Sequence, residues 1–426
     1  MKHTDNKIEW LVALSVVLIT TSRVLWVVMN NFGFPIVETI FNYTRFFIVF
    51  LILQYQINHY GFKVYHKFFA LFYVLYLIYV ILYMTVLRKW PLNEMLSVPR
   101  SNFVLIYQIL ISLAYLLSAQ TIIYHINLKK ILALSLLLCT IPTILLIYYV
   151  GIDRFQMDIR GEDDEHISFM ATAYANVPLI IIAAVFWRTL FEKKQLSIIV
   201  SSAIFIVSAF ILFVCGTRGA ILWAIIGFVI CNIIRTKKIR KTVVALSLMI
   251  ILVVAFLKPI VGIIKQTLPR TGERIENTIF EGDTDARFNL DDLKNSTFMI
   301  GIENFQRSPI LGYYFRLDSN NLHFRGAYPH NIFIEVLMTM GIIGFIPFMV
   351  LLFRAFQKTR YIFIRNYSDS EMVCFIFFMS SFLHLQTSGT LLFDHSFWLF
   401  FYILCCIDLF NKEMLRNHSA VSKKDY

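Results

Sequence analysis

The stretch AYPHNIFIEVLMTMGIIGF, residues 327–345, sets Pro329, His330 and Asn331 directly in front of a long apolar run. Two glycines, Gly341 and Gly344, fall within one helical turn of each other inside that run. The run is long enough for a helix that crosses a bilayer, which needs about 20 apolar residues. A titratable and a capping residue therefore mark the point where a chain enters a membrane. Pro329 fixes the approach, and Asn331 is suited to accept from the first free N–H groups of the helix. A neutral histidine at that mouth can take up a proton near neutral pH.

Similar apolar runs recur along most of the 426 residues, of which 58% are hydrophobic and 15% charged. Soluble chains carry about a quarter charged residues. The fold class expected is an all-α polytopic membrane protein of about 12 transmembrane helices. The predicted spans are residues 9–29, 36–57, 67–87, 101–123, 128–150, 167–191, 196–215, 219–234, 242–264, 331–353, 371–390 and 392–410. One long extracytoplasmic loop carrying short amphipathic helices interrupts them. The chain is thus read as residues 1–264 with spans 1–9, the loop 265–330, and residues 331–426 with spans 10–12 and a cytoplasmic tail.

The formal net charge of +12 does not indicate nucleic acid, because no soluble basic domain carries it. The basic residues sit in alternate short loops, as in RTKKIRK at 235–241, EKKQ at 192–195 and NLKK at 127–130. That is the positive-inside pattern, and it places the N-terminus and these loops in the cytoplasm. Lys2 and Lys7 precede a run of spanning length, so the first helix is read as retained. The acidic loop 151–166 and the loop 265–330 then lie outside. Within the long loop, Phe288, Leu290, Leu293, Phe298, Ile302 and Phe305 recur at helical spacing, which predicts an amphipathic helix near 287–306. RSPILGYY, residues 307–314, then turns the chain.

Arginines in or beside spans are the strongest chemical signal, since each costs at least ~2.5–3.5 kcal/mol at the bilayer centre unless it finds a partner or a polar cavity. Arg45 lies inside NYTRFF, residues 42–47, and Arg218 inside CGTRGA, residues 215–220. Arg23, near a span end, reads as snorkelling to the interface. Gly219 and its neighbour Gly216 let a ligand approach the backbone beside Arg218, whose planar fork suits phosphate oxygens. The adjoining helix N-terminus favours an anion as well. Arg287 and His330 belong to the long loop. Glu335 is expected to be half-buried, paired with an arginine and structural. Gly341 and Gly344 are expected to let span 10 pack closely on a neighbouring helix. Asp394 and His395 are weaker candidates near the start of the last span. No metal site is read: DTD at 283–285 lies outside, and the spacing of His323 and His330 fits no common metal site.

The order and sidedness of these elements resemble the O-antigen ligase and O-antigen/capsular polysaccharide polymerase superfamily. TRGA (217–220) opens an outward-facing span, with Thr217 where that family often has serine. A long outer loop follows with Arg287 ahead of its helix. RSPILGYY resembles the family's Pro-x-x-Gly turn, and HNIFIEVLMTMGIIG (330–344) its His-Asn and Gly-x-x-Gly signature. The resemblance implies a metal-independent, cofactor-free glycosyltransferase in a bacterial cytoplasmic membrane, with its active site facing outside. Its donor would be an oligosaccharide on polyprenyl pyrophosphate. The pyrophosphate would be held by Arg218, Arg287 and Arg45, with His330 as base and Thr217, Gly219, Asn331 and Glu335 in support. The bilayer itself, and a chain-length regulator and flippase of the same pathway, are the partners implied. A ligase acting on lipid A core or protein, and a flippase for the lipid-linked glycan, stay open beside the polymerase.

Overall fold

The computed structural model describes residues 6–33, 36–82, 101–150, 169–191, 195–215, 218–236, 244, 257–267, 272, 276, 297–312, 329, 331–364, 368–387, 391 and 394–422. Its elements are α1 (Asn6–Asn31), α2 (Ile36–Tyr60), α3 (Lys67–Leu82), α4 (Ser101–Leu117), α5 (Ala119–His125), α6 (Leu128–Ser135), α7 (Ile141–Val150), α8 (Phe169–Phe191), α9 (Gln195–Val214), α10 (Arg218–Thr236), α11 (Leu257–Thr267), α12 (Thr297–Arg307), α13 (Ile332–Ile364), α14 (Asp369–His384) and α15 (His395–Ser422). Among the described residues there is no strand. Helices coincide with most of the predicted spans, while most of 242–264 lies outside the described residues. Two segments, Leu128–Tyr149 and Ile332–Arg360, are long and apolar enough to cross a membrane. The last helix, α15, runs well past the predicted end at residue 410.

Large apolar side chains cover the outside of several helices as well as their cores. On α13 the exposed set includes Ile346, Val350 and Phe353, and on α3 it includes Leu71, Val74 and Ile78. Spacings of three and four residues make each set one stripe. A water-soluble monomer rarely leaves such stripes bare, whereas lipid covers them without penalty.

The chain divides into two compact units, 1–48 with 126–289 and 49–125 with 290–426. In the first, α8 packs against α9, α10 and α1, and α1 packs against α6 and α7. The helices approach closely through small residues: a Cβ on Gly227 of α10 would stand 2.5 Å from the Ile181 side chain. Buried polar groups join them. Asn176 donates to the Thr172 carbonyl at 2.8 Å and accepts from Ser208 at 3.1 Å. Between α6 and α7, residues Leu136–Thr140 form one π-helical turn. Pro142 lies two residues beyond it and has no N–H for the regular i−4 bond to Leu138.

In the second unit α13 is central, flanked by α3, α12, α14 and α15. Its core is aromatic: Phe348, Phe377, Phe378, Phe397, Trp398, Phe400 and Phe401 are all buried. The Phe377 and Phe400 rings stack at 5.0 Å. Ser368 and Glu371 form a reciprocal capping box at the start of α14.

Candidate functional site

Five of the sequence-predicted site residues have described positions: Arg218, Gly219, Arg45, Asn331 and Glu335. Arg218 is the first residue of α10, so it stands where unsatisfied amides and the helix dipole favour an anion. Gly219 follows it, half-buried, and Ala220 is buried. Arg45 lies in α2 and is only 4% exposed. Thr217, Arg287 and His330 lie outside the described residues, as do residues 283–285 and His323. Among the described residues, no group of His, Cys, Asp and Glu is arranged to hold a metal ion.

The mouth of α13 is described in detail from Asn331 onward. The Asn331 side chain accepts from the amides of Phe333 at 3.0 Å and Ile334 at 3.2 Å, which caps the helix. Its amide group donates to Gln386 at 3.2 Å, tying the mouth to the end of α14. Glu335 is 2% exposed, more deeply buried than expected. Its two carboxylate oxygens lie 3.0 and 3.2 Å from the Leu391 amide, which donates to them. The connection between α14 and α15 is thus held by two polar side chains of the α13 mouth. Within that connection, Asp394 accepts from the Phe397 amide at 2.8 Å and caps α15. The Asp394 carboxylate also lies 3.6 Å from His384. His395 is buried and bonded to Ser112 at 2.5 Å, which makes it a core residue.

The glycines of α13 do something other than the close helix packing expected of them. Gly341 has φ 60° and ψ −161°, so the helix is broken there. Residues 308–312 fill the break. The Ile342 amide donates to the Pro309 carbonyl at 2.9 Å, and the Ile343 amide to the Ile310 carbonyl at 3.3 Å. These are amides that a helix interruption would otherwise orphan. The contact admits no side chain, since a Cβ on Gly341 would lie 2.3 Å from the Ile310 oxygen. A Cβ on Gly312, itself at φ 78°, would lie 2.4 Å from the Thr339 carbonyl. The Pro-x-x-Gly turn and the Gly-x-x-Gly run are therefore two halves of one joint. Gly344 sits against Met340 of its own helix.

The helix of the long loop, α12, begins at Thr297, and residues 287–296 lie outside the described residues. Gly301 and Asn304 are its buried positions, while Phe298 is 37% exposed. A Cβ on Gly301 would crowd Ile334 at 2.7 Å, so α12 lies directly on the first turns of α13.

Sequence reasoning missed Gln386, His384 and the Leu391 amide. The available signal was His384 and Gln386, two strongly polar side chains within a segment, 371–390, read as a span.

Residues 203–349 match the family model described as O-antigen ligase. That segment runs from α9 through the joint at Gly341 and holds Arg218, Arg287, His330 and Glu335. The motif resemblance to the O-antigen ligase and polymerase superfamily therefore holds over it. No curated protein matches the chain.

Proposed function

We propose that this chain is an integral membrane glycosyltransferase that polymerises oligosaccharide repeat units carried on polyprenyl pyrophosphate. It acts on the outer face of a bacterial cytoplasmic membrane and uses no metal. The observation that carries this reading is the family match over residues 203–349, which spans the motifs at 217–220, 307–314 and 330–344 but not Arg45. The start of α10 at Arg218 and the capped mouth of α13 fit the same chemistry.

In the reaction an acceptor sugar hydroxyl attacks the anomeric carbon of the donor. A new C–O bond forms, the bond to the pyrophosphate oxygen breaks, and the electron pair leaves with the lipid pyrophosphate. Arg218 and Arg287, with Arg45, hold the pyrophosphate and offset the charge that develops on it. His330 takes the hydroxyl proton. Asn331 and Glu335 keep the helix mouth in place, so their part is positional. Pairing of Glu335 with an arginine remains within this proposal.

The description of the matched family favours a second reading, a ligase that transfers the finished glycan once to lipid A core or protein. Purified protein supplied with a defined lipid-linked repeat unit separates the readings. A polymerase gives a ladder of lengths and releases polyprenyl pyrophosphate. A single addition to an acceptor not carried on polyprenyl pyrophosphate identifies a ligase. Movement of the donor across vesicles without bond cleavage identifies a flippase and contradicts both enzyme readings.

A further inference from the structure

The far end of α13 holds a second polar cluster that the glycosyl-transfer chemistry does not use. Arg354 lies 13 residues beyond the break at Gly341 (354 − 341), which at ~1.5 Å per residue puts it about 20 Å along the helix from the joint. Ile346, Val350, Arg354 and Lys358 follow one another at four-residue intervals, so they form one ridge. The first two are exposed and apolar, and the last two are half-buried and basic. Phe353, beside that ridge, is 64% exposed.

His66 meets this end from the connection between α2 and α3. It is 7% exposed, and its Nδ1 accepts from the Phe69 amide at 3.0 Å, capping α3. That bond fixes the neutral tautomer: the proton is on Nε2, which is therefore a donor. Burial, and then the Arg354 charge, hold the His66 pKa below its ordinary value, so the ring is neutral at pH 7. His66 Nε2 is buried without a hydrogen-bond partner, and so is Arg354 Nε. Two described acidic groups near this end, Asp408 and Glu413, are engaged elsewhere. Asp408 pairs with Lys358, and Glu413 pairs with Lys63 and accepts from Gln120. Lys412, next to Glu413, is exposed. Two buried donors without acceptors are costly, at about 1–3 kcal/mol each.

We propose that this end of α13 is a binding site for an anionic phospholipid, with its phosphate at Arg354 and His66 and its acyl chains along Val350, Ile346 and Phe353. The phosphate supplies the acceptor that both donors lack. Lys412 adds positive charge around it, as basic pockets at helix ends do for anionic headgroups. The exposed apolar ridge leading into the basic end distinguishes a lipid from a free phosphate ion.

The test uses the full-length protein purified in zwitterionic detergent and titrated with phosphatidylglycerol, with phosphatidylcholine, and with inorganic phosphate. Binding is read by native mass spectrometry and by the thermal unfolding midpoint. Phosphatidylglycerol should remain bound and raise the midpoint, phosphatidylcholine should not, and inorganic phosphate at matched concentration should have little effect. Arg354→Gln should weaken phosphatidylglycerol binding by about fivefold or more, the scale of one basic residue near an anionic lipid. Lys412→Gln, at an exposed position that does not endanger folding, should weaken it by up to a similar factor. Equal binding of the two lipids overturns the proposal, as does unchanged affinity in both variants. An equal shift by inorganic phosphate overturns the lipid assignment.

Discussion

The two ends of α13 treat their polar groups in opposite ways. At the mouth, Asn331 and Glu335 bond to backbone amides of their own helix and of the α14–α15 connection. At the far end, Arg354 and His66 each keep a buried donor with no acceptor. A satisfied buried group specifies the fold, whereas an unsatisfied one costs stability and leaves a donor open to an outside partner. The mouth is therefore a built frame. The far end is a candidate for a ligand.

The joint between the ends gives the largest effect expected on stability. Gly341→Val forces a β-branched residue to φ 60° with its Cβ against the Ile310 carbonyl. Backbone cannot yield as a side chain can, so the loss should exceed about 4 kcal/mol, and the variant should fail to accumulate as folded protein. Normal yield and melting temperature would mean that the break is dispensable.

A loss in activity alone is expected at Arg218, where α10 begins. Arg218→Lys keeps the charge but loses the planar fork, so turnover should fall by on the order of a hundredfold while the protein inserts and melts normally. Wild-type polymer length and yield in this variant would remove Arg218 from the pyrophosphate site.

At the mouth, Asn331→Ala removes the cap and the bond to Gln386 and should cost about 1 kcal/mol, read as a lowered unfolding midpoint. The far end should behave in the opposite sense. In lipid-free detergent, Arg354→Met removes an unpaired buried donor and keeps most of the side-chain volume. It should be neutral or stabilise by up to about 1 kcal/mol. Should Arg354→Met destabilise as much as Asn331→Ala, the contrast between the two ends would be lost.

Much of the helical order was legible in the residues, because spans of about 20 apolar residues announce themselves by length. The joint at Gly341 was not. Two glycines a turn apart read equally well as a packing surface, and only the carbonyls of Pro309 and Ile310, some thirty residues upstream by number, decide between them. Of the helix expected near 287–306, the part from Thr297 to Arg307 is described. Phe298, Ile302 and Phe305 mark the periodic stripe, yet the residues turned onto α13 are Gly301 and Asn304. In a membrane-associated helix, apolar periodicity can mark the side away from the protein. Asn331 as a cap was readable locally, since capping needs only the next three residues. The partners Gln386 and Leu391 were not, because they come from a distant segment of chain.

The most direct test of the glycosyl-transfer account is a single-turnover assay with lipid-linked donor held on the enzyme, comparing the wild type with His330→Gln. With His330 as the base, bound-state transfer should fall by roughly a hundred- to ten-thousandfold, while donor binding, set by the arginines, stays nearly unchanged. Weakened donor binding with an unaltered bound-state transfer rate would contradict the account and assign His330 to the pyrophosphate instead.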